Sequence, residues 1–185
     1  MDAMVTDDQA LVAGLAAGQP GALDAAYRQH GPAVWRFLVR LCGGHEADAK
    51  DLFQETWVAV ARSARSLRAD TRLLPWLYTV ARNKHVSLHR GMVTELRRRL
   101  GWGATMEHQS PATPEATAGV RSRTAAVHAA FARLAPQSRE VLLLCLVEEL
   151  PTPQVAEVLG LRQDAVRKRL SRARAELEAV LGGAS

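Results

Sequence analysis

The sequence predicts an all-α protein of two small helical domains joined by a flexible linker. Three observations predict it. Aromatic residues make up only 5% of the 185 positions, while Ala, Leu, Val and Arg are abundant. Few β-branched runs alternate with polar residues, which favours helix over sheet. Apolar side chains recur at helical spacing over most of the chain and lose that spacing in one Gly-, Thr-, Pro- and Ala-rich stretch. A hydrophobic content of 48% is enough for packed cores and argues against wholesale disorder.

Taken in order, Thr6 followed by Asp7 and Asp8 reads as a capped helix start, running to about Gly18. Pro20 opens a second helix that carries Leu23 and Tyr27 and reaches the His30–Gly31 pair. Pro32 opens a third, with Val34, Leu38 and Leu41 at helical spacing, broken at Gly43-Gly44. In "DAKDLFQETWVAVARSARSL", Leu52, Phe53, Thr56, Trp57 and Val60 share one face. Asp51, Gln54, Glu55 and Arg62 share the opposite one. "RADTR" is a loop. Pro75 begins the helix "PWLYTVARNKHVSLHR", since proline is tolerated in a first turn where its missing N–H has no helical partner. Leu77, Val80, Ala81, Lys84 and Leu88 lie on one side of it, and Thr79, Arg82, Asn83, Val86 and Arg90 on the other.

Residues 91–122 change character and carry little apolar periodicity after Leu100. This divides the chain into residues 1–92, a linker over 93–122, and a second domain over 123–185. In that domain "TAAVHAAFARL" forms one helix and Pro136 starts another, "PQSREVLLLCLVEEL", whose "VLLLCLV" is apolar nearly all round and belongs in a buried centre. Pro151-Thr152-Pro153 stops and restarts the chain, with Thr152 as cap.

The last two helical patterns, "TPQVAEVLG" and "LRQDAVRKRLSRARAEL", make the C-terminal domain a helix-turn-helix domain. Ala156 is small where the helices cross closely, Gly160 supplies the turn conformation, and Val166 packs back on the first helix. Val166, Leu170, Ala173 and Leu177 form the buried stripe. Asp164, Arg167, Lys168, Ser171 and Arg172 point outward, flanked by Gln163 and Arg169. The second helix of such a motif lies in the major groove. Arg and Lys suit guanine edges and Gln suits adenine. Arg172 and Arg174 suit phosphates.

Charge agrees with two contacts to a polyanion. Net charge is +5, and residues 61–100 hold 10 basic and 2 acidic side chains, residues 161–185 hold 6 and 3. Slightly acidic chain separates these blocks. Cys42 and Cys145 are far apart in apolar settings, so no disulfide framework is expected, and a reducing cytoplasm is the natural compartment. The start of the chain lacks the basic and apolar regions of a signal peptide, and no stretch reaches the length of a membrane span. His85 and His89 are four apart, a spacing metals use, but no third ligand accompanies them; no metal or cofactor is expected. No nucleophile–base pair or phosphate-binding glycine loop is present, so the chain is not expected to be an enzyme. Trp35, Trp57 and Trp76 are expected in the core, and Trp102 in "GWG" is a candidate for a protein contact.

"RLAPQSREVLLLCLVEELPTPQVAEVLGLRQDAVRKRLSRARAEL" resembles the C-terminal DNA-binding domain of extracytoplasmic-function (ECF) sigma factors. "DAKDLFQETWVAVARSARSL" followed by "PWLYTVARNKHVSLHR" resembles their N-terminal domain, and "ALDAAYRQHGPAVWRFLVRLCG" fits its first helices. The resemblance covers nearly the whole chain except the linker. It implies a dissociable subunit of bacterial RNA polymerase that binds the core enzyme, opens the minus-10 promoter element with its first domain and reads the minus-35 element with its second. It also implies an anti-sigma partner.

Carried over by position, Asp51, Gln54 and Glu55 would face core polymerase. Arg65, Arg68, Arg72, Thr79, Arg82, Asn83 and Arg90 would meet the minus-10 strand, where unstacking a base takes a few kcal/mol that strand contacts must return. Gln163, Asp164, Arg167, Lys168, Ser171 and Arg172 would read the minus-35 element. The chain departs from the family at Ser87, where Asp is frequent, at Leu73 and Leu67, where aromatics are frequent, at Leu74-Pro75, and at Arg162, where a small capping residue is common. Two other classes remain: a stand-alone helix-turn-helix regulator with a sensing domain, and a nucleic-acid enzyme with this motif as an accessory. The basic helix ending at Arg90 and the polar face of "DLFQETW" favour the sigma factor, since a regulator needs no second DNA surface.

Overall fold

The computed structural model describes residues 2–100, 130–131 and 133–182; the predicted linker beyond Leu100, Trp102 and the first part of "TAAVHAAFARL" lie outside them. Among the described residues every regular element is helical. The first helix, α1, spans Asp2–Ala17. It starts four residues before the predicted Thr6 cap, because residues 2–5 contain no Gly or Pro to stop a turn from adding upstream. Gly18, at φ 66°, ends it.

Helix α2, Ala22–Leu41, merges the two helices that the sequence predicts on either side of Pro32. An interior proline removes one backbone hydrogen bond and costs about 3 kcal/mol. One continuous apolar stripe outweighs that penalty: Ala26, Val34, Phe37, Leu38 and Leu41 are all buried on the same side, before and after the proline. The helix closes as the sequence predicts. Gly43 N–H donates to the Arg40 carbonyl and Gly44 N–H to that of Val39, with both glycines at positive φ.

Helix α3, Glu46–Ser63, has the predicted two faces. Leu52, Thr56, Trp57 and Val60 are buried, and Asp51, Gln54, Glu55 and Arg62 are exposed. The buried Thr56 hydroxyl donates to the Leu52 carbonyl at 2.7 Å, so it brings no unsatisfied polar atom into the core. Tyr27 and Trp57 meet edge-on at 5.0 Å, and Trp35 and Phe53 at 5.7 Å. A 3-10 turn at Ala64–Ser66 and a loop lead to α4, Leu73–Leu100. This helix begins two residues before Pro75 and runs eight past residue 92, where composition alone ends the first domain. Its buried stripe also differs. Leu77, Tyr78, Ala81 and His85 are buried, whereas Leu88 is exposed.

Helix α5, Pro136–Leu142, starts at the predicted proline. It does not continue as an α-helix to Leu150: residues Leu143–Val147 form a π-helical turn. Leu142, Leu143 and Leu144 are fully buried, but Leu146 and Val147 are exposed, against the expectation of an apolar run buried throughout. Pro151, in extended conformation, caps α6, Thr152–Leu159, so Thr152 is the first helical residue rather than the cap. Helix α7 spans Gln163–Gly182. The buried residues of both halves join in one core, in which α6 packs on α4 and α5 on α7.

Candidate DNA and polymerase interfaces

The turn between α6 and α7 is built as its residues require. Gly160 stands at φ 64°, ψ 38°, a left-handed conformation that side-chain-bearing residues adopt at a penalty. Its N–H donates to the Glu157 carbonyl, and Leu161 N–H donates to that of Ala156 at 2.9 Å. Arg162 takes the capping position of α7, its carbonyl accepting from Val166 N–H at 3.1 Å. Ala156 and Val166 are buried at the crossing, and Ala173 continues the stripe. Leu170 and Leu177 are half-buried at its edge.

The opposite face of α7 is solvent-facing. Gln163, Asp164, Arg167, Lys168, Ser171 and Arg172 are all exposed, and Arg169 is half-buried at the flank. Arg167 donates to the Asp164 carboxylate at 2.9 Å. Both side chains are mostly solvated, so this pair orients the guanidinium with little energy of its own. Arg172 Nε approaches the Lys168 carbonyl at 3.4 Å. The face offers a pair of polar side chains once per turn, about 5.4 Å apart along the helix axis, with donors on Gln163, Arg167, Lys168, Ser171 and Arg172 and an acceptor on Asp164, an arrangement that suits base edges along a groove.

The N-terminal set divides into two. Arg65, Arg68, Arg72, Asn83 and Arg90 are exposed. Arg65 lies over Gly18, where an added Cβ would come within 3.3 Å of its Nε. Arg68 is bonded to Asp70 at 3.2 Å in the loop, and its backbone N–H donates to the Thr71 hydroxyl at 3.1 Å. Thr79 and Arg82 are half-buried and already engaged. The Thr79 hydroxyl donates to the Pro75 carbonyl at 3.0 Å, and Arg82 pairs with Glu140 at 3.1 Å. On α3, Asp51, Gln54 and Glu55 form one exposed acid–amide–acid row, with Lys84 3.5 Å from Glu55 at its edge.

Further groups lie between the halves. Tyr78 and His85 belong to the buried stripe of α4, and their spacing with Leu77 and Ala81 is a usable signal. Burial, and then its hydrogen bond to Glu148, pushes the Tyr78 hydroxyl well above its ordinary pKa. Arg139, Glu140 and Glu148 stand in or beside the apolar run of α5, and nothing local in the sequence says whom they meet.

His85 and His89 are 2.9 Å apart through their Nε2 atoms. Burial, followed by the nearby His89, Arg139 and Arg82, lowers the His85 pKa to about 3. The two arginines make this a poor place for a cation. Among the described residues no group of three or more His, Cys, Asp or Glu could hold a metal. Cys42 and Cys145 are free and half-buried, and burial raises the Cys42 thiol to about 12. Among the described residues no helix is long and apolar enough to cross a membrane.

An all-helical chain with an exposed basic helix set behind a left-handed turn is a DNA-binding protein of the helix-turn-helix class. Residues 26–99 match Sigma-70 region 2 and residues 124–177 match Sigma-70, region 4. The sigma factor CnrH of Cupriavidus metallidurans is 31% identical over 184 residues, covering 94% of each chain. The ECF sigma factor SigL of Mycobacterium tuberculosis is 31% identical over 170 residues, covering 87% of this chain and 89% of its own. The solved structure of CnrH with the cytosolic domain of CnrY superposes with a TM-score of 0.69 at 28% identity, over 96% of this chain and 99% of that one. The sigma factor RpoE of Bartonella quintana, solved with the anti-sigma factor NepR, shares the fold at a TM-score of 0.70 and 22% identity, over 88% and 98%.

The chain belongs to the ECF family of RNA polymerase sigma factors. It is an alternative sigma factor, directing promoter-specific transcription initiation.

Proposed function

We propose that the two basic surfaces divide the promoter between them. The exposed row on α7, Gln163, Asp164, Arg167, Lys168, Ser171 and Arg172, reads the minus-35 element in the major groove. Arg65, Arg68, Arg72, Thr79, Arg82, Asn83 and Arg90 hold the opened minus-10 strand. Asp51, Gln54 and Glu55 dock on core polymerase. The observation that carries this reading is the geometry of the turn: left-handed Gly160 and buried Ala156 and Val166 leave one unbroken polar row outward.

The partition into residues 1–92, a linker 93–122 and residues 123–185 rests on composition; the two sigma matches, 26–99 and 124–177, support two domains, the first match running seven residues past 92. The chain works in the cytoplasm, where polymerase and promoters are, and contributes binding rather than catalysis. An anti-sigma partner restrains it, in keeping with the complex of the similarly folded RpoE with the anti-sigma factor NepR. A stand-alone regulator has no use for a region-2 domain over residues 26–99, and that reading is set aside.

The test is transcription from genomic promoter fragments by core polymerase with and without the protein. Promoter-dependent initiation that requires the protein is the expected result, and Asp51→Arg with Glu55→Arg removes it while leaving α7 bound to isolated DNA. Initiation unaffected by these changes excludes the assignment of α3 to polymerase.

A further inference from the structure

Three charged residues of the C-terminal half reach across to the N-terminal half. The Glu148 carboxylate accepts from Arg40 of α2 at 3.3 Å and from the Tyr78 hydroxyl of α4. Glu140 pairs with Arg82 of α4 at 3.1 Å, with only 6% of the Glu140 side chain and 19% of Arg82 exposed. Arg139, itself buried, donates to the Leu41 carbonyl at the C-terminal end of α2 at 3.0 Å and to Phe131 and Leu134 on its own side. A helix C-terminus favours a cation there.

The backbone is arranged to make this contact. The π-helical turn at Leu143–Val147 adds one residue to the helical register, and Glu148 N–H donates to Leu143, five residues back. Glu149 follows at φ 50°, a positive value that a side-chain-bearing residue adopts only under restraint. Together they turn the Glu148 carboxylate toward Arg40 and Tyr78. A permanently fused interface would gain more from apolar packing, because buried ion pairs give up solvation that the pairing only partly returns. The seam also carries apolar contacts where α6 packs on α4, but its charged groups are readily solvated again on opening, which suits parts that come apart.

We propose that these contacts are an interdomain latch that holds the free protein closed, with Arg82 of α4 held against the C-terminal domain while Asn83 and the row on α7 stay open to solvent. The inference rests on the assignment of Arg82 to the minus-10 strand. In the closed form Arg82 is committed to Glu140, and α6 lies along α4. Binding of the single strand then draws on the open fraction alone, so its apparent affinity is lowered by that fraction.

Small-angle scattering on the whole protein tests the latch, together with anisotropy of a labelled random-sequence single-stranded 20-mer. Wild type is expected to be compact. Glu140→Ala with Glu148→Ala is expected to enlarge the radius of gyration and to tighten the 20-mer by about tenfold or more, as for a competent form populated at about 10% or less. Glu46→Ala with Glu178→Ala, which removes the same charge from exposed positions, is the control and should change neither.

If the first variant loses helix, a charge exchange decides. Glu140→Arg is expected to expand the protein, and adding Arg82→Glu to restore the compact radius. Unchanged radius and affinity in the alanine variant, or a charge exchange as expanded as Glu140→Arg alone, overturns the latch. Promoter-dependent initiation with saturating core polymerase separates the two ideas. A failed latch leaves initiation intact, and a failed sigma assignment abolishes initiation whatever the scattering shows.

Discussion

Arg82 of α4 and Glu140 of α5 are joined by a 3.1 Å ion pair, 58 positions apart in sequence and largely shielded from water. The guanidinium assigned to promoter DNA is therefore spent inside the protein until the halves separate. Removing it should loosen the coupling between them. Arg82→Ala is expected to split one cooperative calorimetric unfolding transition into two, because the most shielded ion pair among the polar contacts that link the halves is lost. A single transition of unchanged shape would show that the apolar contacts of α4 with α6 couple the halves without it.

Arg167 is the side chain on α7 best placed to discriminate bases, since Asp164 orients its guanidinium from one turn away. Arg167→Ala should weaken binding to a minus-35 duplex by about 1–3 kcal/mol on the preferred sequence and much less on sequences altered at the contacted guanine. Anisotropy titrations at fixed salt measure both. An equal loss on every sequence would make Arg167 a phosphate contact.

A Cβ added at Gly160 would meet nothing within 4 Å, so replacing this glycine isolates the backbone conformation from packing. Gly160→Ala is expected to destabilise the protein by about 1–2 kcal/mol through φ alone. Denaturant unfolding reads the change, with the contribution confined to the midpoint and not to the slope.

Pro32 is exposed and sits inside α2, where it deletes one helical hydrogen bond without filling the core. Pro32→Ala should stabilise the chain by up to about 3 kcal/mol. Promoter-dependent initiation should be unchanged. A lower Tm would mean that the proline bends α2 into the shape its neighbours need.

His85 supplies the pH dependence. Its folded pKa, about 3, lies below the ordinary value of 6.5, because burial, His89 and two arginines disfavour the charged ring. The unfolded chain therefore binds more protons between these values, and stability falls as pH drops from about 6.5 toward 3. The contribution is fully present above 6.5 and amounts to at most about 5 kcal/mol across the window. His85→Gln is expected to flatten the plot of unfolding free energy against pH in that range. An unchanged slope would assign the acid sensitivity to other groups.

Much of the fold is legible in the chain itself. The two faces of α3, the glycine stop after Leu41, and the crossing of Ala156 with Val166 each follow from local rules of spacing and backbone freedom, and the structure keeps all three. The departures are both tertiary in origin. Local propensity puts a break at Pro32 and an α-helix through the apolar run after Leu142. Burial along α2 overrides the first, and the demand that Glu148 meet Arg40 and Tyr78 accompanies the departure of the second into a π-helical turn.

The sequence by itself determined that this is a helical protein with a DNA-facing helix behind a left-handed turn, because periodicity, Gly160 and the clustered charge are all encoded within a few residues of one another. Only the tertiary structure decided which of its cations are available. Arg167 and Arg82 look alike as letters in basic helices, yet one lies in water beside Asp164 and the other is closed against Glu140. That difference comes from residues far apart in the chain, and a long-range pairing leaves no periodic trace for the sequence to show.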